Sequence, residues 1–312
     1  MSSMLTIFSI PKSFVDPHIA LIQRNAIQSW QRIESSSQII LFGDEYGVPN
    51  IANSLGIGHI GCVERNAYGT PLLNSVFSKV QMIANNPLLC YVNADIVLLP
   101  DFIEQINAIR HRRFMMTGRR MDCDLKDELN FEDPAWARNL AHLVDQKGKL
   151  SQSTAMDYFV FPRDLVKDMP PFAVGRPGWD NWFVYYVRSR RIPVIDATPS
   201  VMAVHQNHGY LHVKQRTGEK WEGPEAEENR QLMPDKARSF GTSDATYVLD
   251  NRRVSPALSP PYLDRKLTRQ DELIPRYSWL EPLRRRLFWR LYHRRERIPK
   301  KIWRQLAYRL TP

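Results

Sequence analysis

The 312-residue chain has only three cysteines, Cys62, Cys90 and Cys123, and no Cys-x-x-Cys pair. A disulfide framework and a cysteine-rich zinc site are therefore excluded, and a reducing compartment is expected. Glycine is scarce at 14 residues, and no internal repeat is visible, which removes collagen-like, low-complexity and solenoid architectures. Long apolar runs are also missing. The longest, residues 87–100, is interrupted by Asn93 and Asp95 and is too short to span a bilayer. Residues 1–11 lack the charged start and apolar stretch of a signal peptide. A cytoplasmic protein, or one bound peripherally to the inner face of a membrane, is expected.

Most of the chain lacks net charge as well. The formal charge is +10, yet residues 283–312 hold eleven Lys/Arg against one acid, Glu296, so the preceding 282 residues balance to zero. Leu280 just before that basic tail, and Leu283, Leu287 and Leu291 within it, recur at helical spacing, and Pro299 precedes a second stripe of Ile302, Leu306 and Leu310. A basic amphipathic helical tail of this kind suits an anionic membrane surface. A nucleic-acid partner is disfavoured because the body offers no second basic patch.

At 43% hydrophobic and 24% charged the composition is that of an ordinary globular protein with a sizeable core. Strand-like and helix-like segments alternate through the first half. Strands are expected at 5–10, 38–42, 59–63 and 88–92, and helices at 17–33, 48–55, 73–84 and from 102. Asp16-Pro17 supplies an N-cap and a first-turn proline, followed by Ile19, Ile22, Ala26, Trp30 and Ile33 on one face. This alternation predicts an α/β fold with a mostly parallel sheet flanked by helices. Further strands are expected at 114–121, 156–161, 194–195 and 201–204, with helices between. Residues 216–282 are polar and proline-dotted and read as an irregular extension between a 1–215 domain and the 283–312 tail.

Ligands of such sheets gather at the carboxyl ends of strands. The apolar strand 88–92 delivers Asn93 and Asp95 to such an end, and this oxygen-bearing pair suits Mg²⁺ or Mn²⁺ beside a diphosphate. In Gly175-Arg-Pro-Gly-Trp-Asp-Asn-Trp182 a single acid, Asp180, is flanked by Trp179 and Trp182. It is either the cap of the next helix or a carboxylate in an apolar wall that raises its basicity, with the indoles free to stack on a sugar. Three histidines, His205, His208 and His212, lie within eight residues, without the Glu of a His-Glu-x-x-His zinc motif.

The run Tyr91-Val-Asn-Ala-Asp-Ile-Val-Leu-Leu-Pro-Asp101 resembles the Asp-x-Asp element of GT-A-fold nucleotide-sugar glycosyltransferases of the family 2 type, with Asn93 in place of the first acid. The resemblance covers the first ~200 residues. It implies a GT-A (Rossmann-like) domain that moves a sugar from a nucleotide-sugar donor to a saccharide or lipid-linked acceptor, by inversion, in cell-surface glycan synthesis. It further implies Asp180 as general base, Asn93 and Asp95 as donor contacts, and Mn²⁺ or Mg²⁺ on Asp95 with His205 or His208. Asp44 matches the nucleobase and ribose pocket, unless it caps a turn. Arg65 and Asn66 fall where the family contacts its donor, and Asp157 where it lines the acceptor. Gly118-Arg119-Arg120 is either a pyrophosphate contact or a solvated basic pair. Two rivals remain. A nucleotidyltransferase would need a glycine-rich loop after the first strand, where 10–14 reads Ile-Pro-Lys-Ser-Phe. A non-catalytic nucleic-acid-binding protein would rest on the tail alone.

Overall fold

In the computed structural model, residues 5–34, 36–208, 222–263 and 265–266 are described. His212 and the basic tail 283–312 lie outside them. The chain forms two units, Met1–Ala257 and Leu258–Pro312. The first contains everything that follows. No helix among the described residues is long and apolar enough to cross a membrane.

The first half forms as its periodicity predicts. Strands β1 (Leu5–Ser9), β2 (Gln38–Phe42), β3 (Gly58–Ile60) and β4 (Leu88–Val92) alternate with helices α1 (Pro17–Gln31), α2 (Val48–Leu55) and α3 (Leu73–Ile83). The Asp16 carboxylate caps α1 by accepting from Ile19 N at 2.9 Å. Ile19, Ile22, Ala26, Trp30 and Ile33 are all buried, so the 3–4 spacing marked the packed face.

After β4 come β5 (Ile96–Leu98), α4 (Phe102–Asn107), β6 (Met115–Thr117), β7 (Arg120–Cys123), α5 (Trp136–Lys147), β8 (Lys149–Leu150), β9 (Tyr158–Pro162), α6 (Trp179–Ser189), β10 (Val194–Asp196) and β11 (Ala203–Gln206). Helix α7 (Pro224–Gln231) and strands β12 (Tyr247–Asp250) and β13 (Arg253–Pro256) complete the unit. The nine-stranded main sheet has the order β13-β12-β10-β6-β9-β4-β1-β2-β3, and only β9 and β13 run against the rest. This is the mostly parallel, helix-flanked α/β sheet that the sequence predicts. A second sheet, β5-β11-β7-β8, stands beside it.

Two expectations change. The predicted strand 114–121 is two strands in different sheets, broken at Gly118. A Cβ there would lie 2.4 Å from Tyr158 Oη and 3.1 Å from Thr198 N, so only glycine lets the chain pass between them. The segment 216–282, read as irregular, carries α7, β12 and β13 over 222–257, and β12 pairs with β10. Its buried anchors, Ala226, Met233, Ala237, Phe240 and Leu249, are too widely spaced to leave a periodic signal.

Both faces of the main sheet are dry. One packs Leu5, Ile7, Leu41, Cys90 and Val92 against Trp30 and Ala26 of α1. The other is aromatic: Phe8, Phe77, Tyr91, Phe159, Phe161 and Phe183 meet at ring-centroid distances of 5.2–6.5 Å. A smaller core under the second sheet joins Val97, Cys123 and Val204 to Trp136, Leu140 and Val144 of α5.

Candidate active site

The main-sheet strand β4 stops at Val92, and the next three residues turn the chain into β5 of the second sheet. Asp95 sits in that turn. Strand β11 lies antiparallel to β5 with His205 opposite Ile96, and Gln206 N donates to Asp95 O at 3.2 Å. This pairing carries two histidines to the carboxylate. His208 Nε2 lies 3.0 Å, and His205 Nε2 3.8 Å, from Asp95 Oδ2. One ligand atom from each of Asp95, His205 and His208 lies within 4.8 Å of the others. All three side chains are largely buried, with 16%, 5% and 1% of their surface exposed.

The other oxygen, Asp95 Oδ1, is buried without a hydrogen bond. A buried, unsatisfied carboxylate oxygen is costly unless something fills its lone pairs. Burial opposes ionisation of Asp95, but the His208 contact and the charges of His205, Lys12 and His208 outweigh it and hold the group far below the ordinary carboxylate range. One carboxylate and two imidazoles fit a divalent transition ion. Magnesium, which favours an all-oxygen shell, fits this donor set less well.

A buried amide relay fixes the turn. Gln206 Nε2 donates to Ile22 O at 2.7 Å and to Asp95 O at 3.2 Å. Asn25 of α1 donates to Gln206 Oε1 at 3.0 Å. The metal-type cluster is thus tied to α1, whose inner face is buried.

Asn93 stands apart from this cluster. Its Nδ2 donates to Asp157 Oδ1 at 2.5 Å, joining the ends of β4 and β9. Arg120 Nη1 donates to Asp157 Oδ2 at 2.5 Å, and Arg120 Nε to Asp122 Oδ1 at 2.8 Å. Both Asp157 oxygens are therefore committed to the protein. The acceptor contact expected of Asp157 gives way to a structural clasp, which Asn93 enters through its amide nitrogen while its Oδ1, the oxygen expected to meet the donor, takes no part in it. Arg119 is likewise engaged, donating to Ser151 O through Nε at 2.6 Å. Both arginines of the basic pair are half-buried and tied to protein partners rather than fully solvated.

Asp180 lies in the first turn of α6, half-buried, with Oδ1 accepting from Asn181 N at 2.9 Å. Gly178, with φ +106°, occupies the cap position, so Asp180 is not the helix cap. Burial raises the pKa of the Tyr91 phenol, and the charges of Asp157, Asp95 and Asp180 raise it further. The charges of these three carboxylates are thus felt at Tyr91 in β4. Trp179 and Trp182 do not offer sugar-stacking faces. Trp179 packs edge-on against Tyr91 at 4.8 Å and Phe159 at 5.2 Å. Trp182 packs on Phe172 at 5.4 Å and Tyr186 at 4.8 Å. Both indoles are about 5% exposed, as the aromatic core beneath α6 requires.

At the end of β2, Arg65 pairs with Asp44, and with Glu45 Oε1 at 2.9 Å. Gly47 caps α2, so Asp44 is no helix cap either. Its side chain is 69% exposed and open to solvent beside the Arg65 guanidinium. Asn66 closes its own loop: Oδ1 accepts from Tyr68 N at 3.0 Å and Thr70 N at 2.9 Å, and Nδ2 donates to Glu225 Oε1 at 2.8 Å. The donor contact expected of Asn66 is replaced by this packing role.

Several residues had no signal in the sequence. Glu225, on α7, is 1% exposed and receives both Asn66 and Arg176, the latter through Nε at 3.0 Å. Burial opposes its charge, but bonds from Asn66, Thr70 and Arg176 hold its pKa below normal. Asp122 sits in a strand with no motif, next to the Arg119-Arg120 pair but not part of it. Lys12, just after β1, contributes charge to Asp95. Only its place after a buried strand could have pointed to it.

The sequence matches no protein-family model and no curated protein. Its structure is similar to that of S. aureus TarS residues 1–349 in complex with UDP-GlcNAc, with 9% identity over 67% of this chain and 61% of that one, at a TM-score of 0.43. It is also similar to the mannosyltransferase PcManGT of Pyrobaculum calidifontis in complex with GDP-Man and Mn²⁺, with 11% identity over 69% and 61% of the two chains and a TM-score of 0.44. A third is glucosyl-3-phosphoglycerate synthase of Mycobacterium tuberculosis with Mn²⁺, UDP and phosphoglyceric acid, with 9% identity over 67% and 73% and a TM-score of 0.38. The chain spans about three-fifths of the TarS 1–349 length.

Proposed function

We propose that this chain is a metal-dependent glycosyltransferase that moves a sugar from a nucleotide-sugar donor to a hydroxyl of a saccharide or lipid-linked acceptor. The observation that carries the reading is the convergence of Asp95, His205 and His208 at the carboxyl end of β4, with Asp95 Oδ1 buried and unsatisfied. Asp95, His205 and His208 would hold Mn²⁺. Such an ion, when bound, offsets charge on a diphosphate leaving group.

The other roles follow from position. Lys12 adds positive charge beside Asp95, on the side where strand-end ligands sit. Asp44, exposed at the end of β2, is placed to accept a hydrogen bond from a nucleobase or a ribose hydroxyl, with the Arg65 guanidinium paired beside it. Asp180 is the general base: it takes the proton of the acceptor hydroxyl as that oxygen attacks the anomeric carbon and the nucleoside diphosphate leaves from the opposite face. A direct displacement of this kind inverts the anomeric configuration. The tail 283–312 carries the enzyme to an anionic cytoplasmic membrane face, which suits a lipid-linked acceptor and cell-surface glycan synthesis.

Thermal unfolding of the full chain against a panel of nucleotide sugars with Mn²⁺ tests the reading. A rise in Tm with at least one donor, dependent on Mn²⁺ and lost in His205→Ala, is expected. No stabilisation by any nucleotide sugar overturns it.

A further inference from the structure

The metal-type triad contains a histidine whose second ring nitrogen also meets a carboxylate. Strands β7 and β11 are parallel, with Asp122 directly opposite His205, so the two side chains leave the second sheet on the same face. His205 Nδ1, buried and without a formed hydrogen bond, lies 3.0 Å from Asp122 Oδ1, the carboxylate oxygen across the strand pair from it, while Nε2 faces Asp95 Oδ2 at 3.8 Å. Asp122 is in turn gripped by Arg120 Nε at 2.8 Å, and Arg120 is clasped to Asp157 and through it to Asn93. The His205 ring is 4% exposed, so water has little part in orienting it.

We propose that Asp122 is a positioning residue for the metal centre, which holds the proton of His205 on Nδ1 and turns the Nε2 lone pair toward Asp95. A neutral imidazole carries one N–H, so whichever partner claims one nitrogen decides what the other can do. With Asp122 beside Nδ1, Nε2 is left as the ligand atom. Arg120 sets the Asp122 carboxylate in place and links this duty to the Asp157–Asn93 clasp on the main sheet. The clasp expected from sequence to touch donor and acceptor instead becomes the outer support of the metal site. This inference rests on the reading of Asp95, His205 and His208 as a metal site.

The test is direct Mn²⁺ binding, read as the loss of the free-ion EPR signal, for the full-length wild type, Asp122→Ala, Asp122→Asn and the exposed control Glu132→Ala. Outer-shell carboxylates of ligating histidines are typically worth roughly 10–100-fold in metal affinity. Asp122→Ala is therefore expected to raise the Mn²⁺ Kd by about that factor. Asp122→Asn keeps an acceptor oxygen and should fall between it and the wild type. Glu132→Ala should bind as the wild type does. A merely structural Asp122 would lower the metal-free Tm but leave the Kd in place, and an unchanged Kd in both variants overturns the proposal. Should Asp122→Ala not fold, an Asp122→Asn Kd equal to the wild type does the same. A wild type that binds no Mn²⁺ overturns the metal reading itself, and this inference with it.

Discussion

Asp95→Asn separates the stability of the fold from the stability added by a bound ion. The side chain keeps its shape, its 16% exposure and an oxygen near His208 Nε2, but it loses the negative charge. Two effects oppose each other in the metal-free protein. The favourable charges of His205, Lys12 and His208 are lost, while the buried, unsatisfied Oδ1 no longer belongs to an ion. The metal-free Tm should therefore move by only about 2–4 °C, equivalent to roughly 1 kcal/mol in a unit of this size. The ion-bound state behaves differently. At a Mn²⁺ concentration about 100 times Kd, binding adds about 2.7 kcal/mol to the wild type, roughly 5–11 °C in Tm. Loss of the ligating charge should weaken binding by about 100-fold or more, the upper end of what outer-shell changes cost. The same Mn²⁺ concentration then only reaches Kd, and RT ln 2 gives about 0.4 kcal/mol, a shift near 1 °C. Scanning fluorimetry with and without Mn²⁺, at fixed protein concentration, reads both numbers. An Asp95→Asn protein that gains as much from Mn²⁺ as the wild type refutes the assignment of this carboxylate.

Three other measurements probe separate parts of the account. Asp180→Asn should keep donor-induced stabilisation and lose at least ~100-fold in turnover, the usual scale of a positioned base; near-normal turnover in a product assay removes Asp180 from that role. Glu225→Gln leaves the Arg176 guanidinium, 11% exposed, without its carboxylate and should cost about 3 kcal/mol at pH 7. Because the folded pKa of Glu225 is depressed, its contribution is complete above the ordinary value near 4.5 and disappears as pH falls through the lower folded value. The stability gap between wild type and variant should therefore narrow only below that point, and a gap independent of pH in urea melts contradicts the pairing. Gly118→Ala puts a methyl against Tyr158 Oη and should destabilise by about 1–3 kcal/mol, whereas the neighbouring relief variant Tyr158→Phe combined with it should recover part of the loss.

The legible part of the fold was the part specified locally. Asp16-Pro17 and the Ile19-to-Ile33 stripe state a helix start and a buried face within eighteen residues, and the structure uses both. The apolar run into Asp95 states a strand and a polar turn in the same way. Asp95, His205 and His208 were legible because their residue types are rare in such runs and carry ligand chemistry. The break at Gly118 was not, since the clash it avoids comes from Tyr158, forty residues later. Nor were the partners of Asn93, Asn66 and Trp179, each of which is fixed by an element far away in the chain. Spacing identifies residues able to bind; it does not reveal which of them the fold has already satisfied.

That distinction sorts the polar residues at this sheet end into two groups. Asp157, Asn66 and Glu225 have their strong bonding positions filled by protein partners, and Asn93 and Arg119 are each tied to the protein through a nitrogen, by contacts of 2.5–3.0 Å. Asp95 keeps a buried oxygen with no hydrogen bond, and Asp44 keeps a carboxylate that is 69% exposed. A site that must bind, react and release needs groups of the second kind held in place by groups of the first. The Arg120 chain has that form, running from the satisfied Asn93–Asp157 pair through Asp122 to His205 and ending at the unsatisfied Asp95. The positioned acids and histidines thus belong to the neutral body, and the charge that sets the protein's pI lies elsewhere in the chain.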